Sequence, residues 1–405
     1  MRPLEEARAT VLAAMRPLPV AAPDLADAAG LALAEDVVAP HDIPPFANSS
    51  MDGYAVRAAD VAEVPARLEV VADLRAGYVA GAEVRPGTAI AIMTGAPIPV
   101  GADAVVPVEQ TAFADGVVTI EESAAAGAFV RHAGGDVAEG ALVMRAGDRL
   151  GPAHLGVLAS LGIASPTVRK RPTVALMSTG DEVVPPSTTD LGPGKIRDAN
   201  RPVITAMLDE LGAEVVDLGI VADDLEALRD ALEVAANRAD AVITSGGVSM
   251  GTHDLVKQVL AEAGTVEFWQ VAMKPAKPFA FGHLDGTPLF GLPGNPVSAM
   301  VAFEQFVRPA LLTMMGSTNV MRPRVDGYVD GPVSTDPAKT VFLRARAEYR
   351  SGVWIARLSD RQESNMLSAM AEGDCFVVIP RGTADIPDGG GAELEMFRWP
   401  EDRPA

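Results

Sequence analysis

Residues 171–182 read RPTVALMSTGDE and residues 240–254 read DAVITSGGVSMGTHD. In each, a short apolar run without polar alternation ends in a glycine turn that carries hydroxyls and acids. A strand apolar on both faces belongs at the centre of a parallel sheet covered by helices on both sides. Around these runs the texture alternates: PVITAMLDELG (202–212) and DLEALRDALEVAA (224–236) are helical, AEVVDLG (213–219) is strand-like, and DLVKQVLAEAG (254–264) is helical again. Alternation of this length predicts a doubly wound α/β sheet domain over residues 171–318. Ligands of such sheets bind beyond the carboxyl ends of the strands, where STGDE and SGGVSMG fall.

Outward from this domain the texture changes. Residues 4–40 read as helical, with Pro17, Pro19 and Pro23 marking a bend before a second short helix over 26–36. GPAHLGVLASLG (151–162) is helical too. Between them, residues 41–130 hold short alternating runs such as RLEVVADL (67–74) and GVVTIEE (116–122), separated by Gly and Pro turns. The simplest arrangement is a β-rich domain, 41–130, inserted into a discontinuous helical linker domain built from 1–40 and 131–170. After the helical run PVSAMVAFEQFVRPALLTMMG (296–316), the β-textured segments VFLRARAEY (341–349), VWIARLS (353–359) and CFVVIP (375–380) predict a C-terminal β-barrel-like domain over 319–405. The fold class expected is therefore α/β multidomain.

A chain of 405 residues is too long for one core and should hold two to four domains at roughly 100 to 200 residues each. Its 54 acidic and 33 basic side chains give a net charge of −21, which repels a polyphosphate backbone and makes nucleic acid a poor partner. The single cysteine, Cys375, offers neither an internal disulfide nor a cysteine metal cluster, so the expected compartment is the cytoplasm. The first residues, MRPLEEARATVLAAM, place Glu5 and Glu6 close behind the basic start, unlike a secretory leader. Gly, Pro or a charge interrupts every apolar stretch before about 18 residues, so no membrane span is expected.

Several motifs carry candidate chemistry. The turn after the 241–245 run offers Ser245, Gly246, Gly247, Ser249 and Gly251 ahead of a helix, where amides and a positive helix end suit a phosphate. Asp254 near that helix start reads as a cap, or as a carboxylate sharing a cation with a bound phosphate. STGDEV (178–183) supplies Thr179, Gly180, Asp181 and Glu182, and VADD (221–224) supplies Asp223 and Asp224, one of which is expected to cap the following helix. Lys274 and Lys277 of AMKPAKPFAFG (272–282) stand in a proline-stiffened segment and can clamp an oxyanion. LPGNPVSA (292–299) forms a rigid turn into a helix with Pro293, Asn295 and Pro296. In the first half, NSSMDGYAV (48–56) presents Asp52, IMTGAPIP (92–99) presents Thr94 and Gly95, and RHAGGD (131–136) presents Arg131 and Asp136. Each of these is equally a structural turn when taken alone.

In this order the seven motifs NSSMDGYAV, IMTGAPIP, RHAGGD, STGDE, SGGVSMGTHD, KPAKPFAFG and LPGNPVSA resemble the molybdopterin molybdenumtransferases, the MoeA type also found as gephyrin's E domain. The likeness spans nearly the whole chain. It implies a MogA-like sheet domain in a four-domain subunit and a homodimer with a composite active site. Asp52, Thr94, Arg131 and Asp136 would face the partner; Glu182, Asp223 or Asp224, Asp254, Lys274, Lys277 and Pro296 would line the sheet-domain side. The implied reaction takes molybdopterin-AMP and molybdate as substrates, uses Mg²⁺ held by Glu182, Asp223 or Asp224 and Asp254, and releases AMP. A molybdopterin adenylyltransferase is the implied substrate donor. ARAEYR (345–350) and QESNMLSA (362–369) are expected to add a basic and a hydroxyl group. The alternatives are a non-catalytic scaffold of the same fold and an adenylyltransferase-like nucleotidyl transferase. SGGVSMG departs from the GTG form of the adenylylating enzymes, and the retained acids argue against a scaffold.

Overall fold

The computed structural model describes residues 1–247, 259, 264–383 and 385–402. Its central sheet runs in the order Glu214–Val221, Thr173–Thr179, Ala241–Ser245, Thr287–Leu292, Pro278–Leu284, Glu267–Gln270. The first four strands are parallel, Pro278–Leu284 runs against them, and Glu267–Gln270 pairs antiparallel with Pro278–Leu284. The Thr173–Thr179 strand feeds two separate cores. Val174 and Leu176 pack with Ile204 and Leu208 of the Asn200–Leu211 helix, whereas Ala175 and Met177 pack with Leu228 and Leu232 of the Leu225–Arg238 helix. Burial on both faces is why the middle of the strand, Val174 to Met177, is wholly apolar, and each such buried Leu or Ile contributes about 1.5–3 kcal/mol.

The helical run after this sheet is continuous but not uniform. Pro296–Ala302 and Arg308–Met314 are α-helical, and Phe303–Val307 between them is a π-turn. Pro309 has no N–H for the carbonyl of Gln305 four residues earlier. That carbonyl instead accepts from Arg8 Nε of the N-terminal helix Leu4–Ala14 at 3.2 Å. The sequence defect thus becomes a docking point between the chain's start and its sheet domain.

Residues 324–396 form a closed five-stranded barrel. Thr340–Arg350, Val353–Leu358, Arg324–Asp330, Gly391–Met396 and Cys375–Ile379 pair in that order, and the last pairs back with the first. Closure leaves no open sheet edge among these strands.

A third sheet lies in the first half, ordered Ala104–Pro107, Gly53–Val56, Thr88–Ile92, Ala66–Leu74, Val117–Ile120, Thr111–Ala114. Its two apolar clusters share no residue with the main core. The flanks of this sheet meet each other: Val37–Val38 pairs with Leu142–Met144, and Pro152–Ser160 is helical. The helix expected over 26–36 does not form. Only a 3₁₀ turn, Leu25–Ala28, is present, after which Gly30 adopts φ 76° and Ala32 and Leu33 bridge Arg149 and Val168. Long-range pairing outweighs a weak helical pattern there. No helix among the described residues is long and apolar enough to cross a membrane.

Candidate active site

Two clusters of the motif residues stand out. The first is built on the short strand Asn48–Ser49, which pairs with Val130–Arg131. Ser49 also accepts from Gly95 N–H at 2.8 Å and donates its own N–H to Ala96 O at 3.0 Å. NSSMDG, IMTGAP and RHAGGD are thereby tied into one surface. Gly53 is required there, because a Cβ would lie 2.0 Å from Val106 O. Asp52, one residue earlier, is exposed, and its Oδ1 accepts from Thr94 N–H at 2.7 Å and Thr94 Oγ1 at 2.9 Å. These two donors, the backbone one first, hold the Asp52 carboxyl below the usual carboxylate range. Arg131 is exposed beside Asn48, and Asp136 is anchored through its N–H to Ile43 O at 2.9 Å.

The second cluster sits at the carboxyl ends of the central strands. Thr179 is paired with Val221, so the turns that follow, STGDE and VADD, lie side by side. Asp181 N–H donates to Asp223 Oδ2 at 3.4 Å and Asp223 N–H donates to Asp181 Oδ1 at 3.3 Å. Burial pushes the Asp223 carboxyl up; the Asp181 N–H pulls it back, and the charges of Asp181 and Glu182 add to the rise. Of the two acids in VADD, Asp224 is the helix cap, with Oδ1 accepting from Glu226 and Ala227 N–H at 3.0 Å each. Asp223 is left to face the cleft acids. Gly180 takes φ 132°, and a Cβ there would come within 2.5 Å of Glu182 Oε2, which places the Glu182 carboxylate over the turn.

The glycine turn after Ala241–Ser245 touches the first. Gly246 has φ 96°, a Cβ on it would lie 2.7 Å from Thr179 O, and its N–H donates to Leu292 O at 3.1 Å. Gly247 follows at φ 70°. The hydroxyls of Ser178, Thr179 and Thr244 are buried around these strand ends with no partner among the described residues. Buried polar atoms without partners are rare and are common marks of a site awaiting ligand or water. Ser249, Gly251 and Asp254 lie outside the described residues.

The lysine segment and the LPGNP turn approach from the barrel side. Met273–Lys274 pairs with Thr340–Val341, Val271 N–H donates to Lys277 O at 2.8 Å, and both lysines are exposed. The barrel's Asp336, held below the usual carboxylate range chiefly by Lys339, also feels the charge of Lys274. Pro293 leads into Asn295, which precedes Pro296, the first helical residue; its Nδ2 donates to Ser364 Oγ at 3.0 Å. Ser364 is the hydroxyl of QESNMLSA that reaches the turn. Arg344 is buried and donates to the carbonyls of Arg361 and Glu363 at 2.7 and 3.0 Å, while Arg346 and Arg350 are exposed and engage Glu372 and Glu348.

Two further residues escaped the motif reading. Lys195 Nζ donates to Asp181 O at 2.6 Å, placing a cation at the acidic turn, and Asn200 sits buried between two glycine turns. A lysine in a GPGK turn looks like surface, and an asparagine opening a helix looks like a cap, so neither carried a local signal.

Oxygen donors crowded onto one sheet edge suit a hard cation such as Mg²⁺. The Asp223 carboxyl is raised by desolvation first, with the charges of Asp181 and Glu182 adding to it. Among the described residues no three His, Cys, Asp or Glu side chains are placed to enclose an ion by themselves.

Three family descriptions match the chain in order: the MoeA N-terminal region (domains I and II) over 2–162, a probable molybdopterin binding domain over 175–313, and the MoeA C-terminal region (domain IV) over 327–397. Molybdopterin molybdenumtransferase 2 of Mycobacterium tuberculosis is 38% identical over 408 residues, covering 98% of this chain and 99% of the relative. The molybdopterin molybdenumtransferase of Haemophilus influenzae is 36% identical with the same coverage. The crystal structure of the molybdopterin biosynthesis MoeA protein from Pyrococcus horikoshii OT3 matches with a TM-score of 0.85 at 29% identity, covering 98% of this chain and all of that one (100%).

Proposed function

The chain belongs to the MoeA family of molybdopterin molybdenumtransferases, and from that premise we propose that it inserts molybdate into adenylylated molybdopterin, releasing AMP in a Mg²⁺-dependent reaction. The observation that carries the Mg²⁺ assignment is Asp223, an acid held against Asp181 and beside Glu182 at the strand ends. Three carboxylates and a polyanionic substrate share this edge only if cations lie between them. Mg²⁺ held by Asp223 and Glu182, with Asp254 as a further donor, supplies Lewis-acid activation of the phosphoanhydride when bound.

The chain's own groups have separate tasks. The Gly246 and Gly247 turn and the hydroxyls of Thr179 and Ser245 receive phosphate oxygens. Lys274 and Lys277 hold the incoming oxyanion, and the Pro293–Pro296 turn flanks the heterocycle. The hydrogen bonds that fix the Asp52 cluster join residues 48–131, and those that fix the Asp223 cluster join residues 179–227. We assign them to one composite site in a homodimer, the inserted sheet of each subunit supplying Asp52, Thr94, Arg131 and Asp136 to the other's cleft. A molybdopterin adenylyltransferase would deliver the substrate. The cytoplasm suits a protein whose one cysteine is buried, with its thiol pushed up to about 12 by that burial.

Purified protein incubated with adenylylated molybdopterin, molybdate and Mg²⁺ tests the proposal by mass spectrometry of the pterin and chromatography of AMP. Molybdenum-bound pterin and AMP are the expected products. Adenylylated molybdopterin left intact, with neither AMP nor molybdenum-bound pterin formed, would overturn it.

A further inference from the structure

The two glycine turns at the strand ends are joined by one buried side chain that the proposed chemistry leaves unused. Asn200 opens the helix Asn200–Leu211 and is 8% exposed. Its Nδ2 donates to Ser245 Oγ at 2.7 Å and to Gly294 O at 2.8 Å, so both amide protons are spent, one on each turn. The backbone adds a parallel link, Gly246 N–H to Leu292 O at 3.1 Å. Asn200 itself is held in place. Asp198, two residues earlier and 5% exposed, accepts from Arg201 N–H and Arg201 Nε at 3.1 Å each, and Arg201 ion-pairs with Asp217 of the neighbouring strand.

The remaining atom of the amide is the informative one. Asn200 Oδ1 is buried with no partner among the described residues, and so is Ser178 Oγ, whose residue is paired in register with Ser245. A residue kept only to cap a helix would accept a hydrogen bond from a backbone N–H two or three positions on. Asn200, the first helical residue after the Ala199 cap position, makes no such bond; it spends its donors across the fold and leaves an acceptor open.

We infer that Asn200 is a positioning residue for the reaction: it sets the spacing between the Ser245–Gly247 turn and the Gly294–Asn295 turn, and so the fit of the adenylylated pterin between them. This rests on the proposed function and specifies which residue makes that site rigid. A displacement of about 1 Å in substrate-holding elements can cost on the order of 100-fold in rate, so a brace of this kind acts on binding and turnover without touching substrate.

The test compares Asn200→Ala, which deletes both donors with the side chain, and Asn200→Asp, which keeps the shape but replaces the donating NH₂ with a charged oxygen facing Ser245 Oγ and Gly294 O. Leu208→Val, in the buried face of the same helix, serves as the stability control. The expected result is a rise in KM for adenylylated molybdopterin of about tenfold or more in both Asn200 variants, the scale of one lost buried hydrogen bond, at an unchanged KM for molybdate. Leu208→Val should lower the melting temperature by a similar amount yet leave KM alone. Wild-type KM in both Asn200 variants, or an equal rise in Leu208→Val, overturns the inference. Direct binding of adenylylated molybdopterin, measured calorimetrically on the same proteins, separates this from the proposed reaction. If wild-type protein binds the ligand without turning it over, the reaction fails while the Asn200 comparison still reads.

Discussion

Asp52 and Asp223 are the same residue in opposite circumstances. Asp52 is exposed, accepts two hydrogen bonds from Thr94 and is easier to ionise than usual. Asp223, exposed as well, faces Asp181 and Glu182 and is harder to ionise than usual, through desolvation first and then those neighbouring charges. The inserted sheet therefore presents a carboxylate already satisfied by its own turn. The central sheet presents one whose charge is left uncompensated, the condition that a bound cation relieves. In the proposed reaction the first cluster serves as a preformed recognition surface and the second is completed by its ligands.

The sharpest way to break this contrast is Asp223→Asn, which keeps the shape and removes the charge. It should cut molybdenum insertion by at least about 100-fold, because losing a direct metal ligand costs more than losing outer-shell support; steady-state kcat for cofactor formation checks this. Thr94→Val acts on the other side by deleting the hydroxyl donor while leaving the backbone one. Because Asp52 is solvent-exposed and keeps its backbone donor, kcat/KM should fall by no more than about tenfold, with no change in Mg²⁺ requirement.

Asp224→Ala separates neighbours. Removing the cap should cost about 1 kcal/mol of stability, read by urea denaturation, and leave the Mg²⁺ dependence of turnover intact. The smallest effect is on stability against pH, and its sign differs between the two clusters. Asp223, with a raised folded-state pKa, contributes stability below the ordinary carboxylate value that is lost as pH rises through the folded one. Asp52, with a depressed pKa, contributes stability above the ordinary value that is lost as pH falls through the folded one. At neutral pH Asp223→Asn should therefore raise the melting temperature by about a degree or two, while Asp52→Asn should lower it. Calorimetric scans from acidic to neutral pH would show both slopes.

The sheet domain was legible because its signal is local. TVALM and AVIT are apolar on both faces, and the glycine turns that follow each strand need no tertiary information to be noticed. The cap rule anticipated that one acid of VADD would be spent on the helix, and the structure makes it Asp224. What stayed hidden depends on contacts distant in sequence. The helix expected over 26–36 gave way to bridges with Arg149 and Val168. Asn200 meets Ser245 and Gly294 only after the sheet is assembled. Barrel closure between Thr340–Arg350 and Cys375–Ile379 is likewise a matter of register that no short run encodes.

The account turns on Asp223 as the acid that needs a cation, and the most direct test is the initial rate of AMP release against free Mg²⁺ for wild-type and Asp223→Asn protein at saturating substrates. A half-saturating Mg²⁺ concentration at least about tenfold higher in the variant is the predicted result. Superimposable curves would contradict it and leave the crowding of Asp181, Glu182 and Asp223 without a role in the reaction.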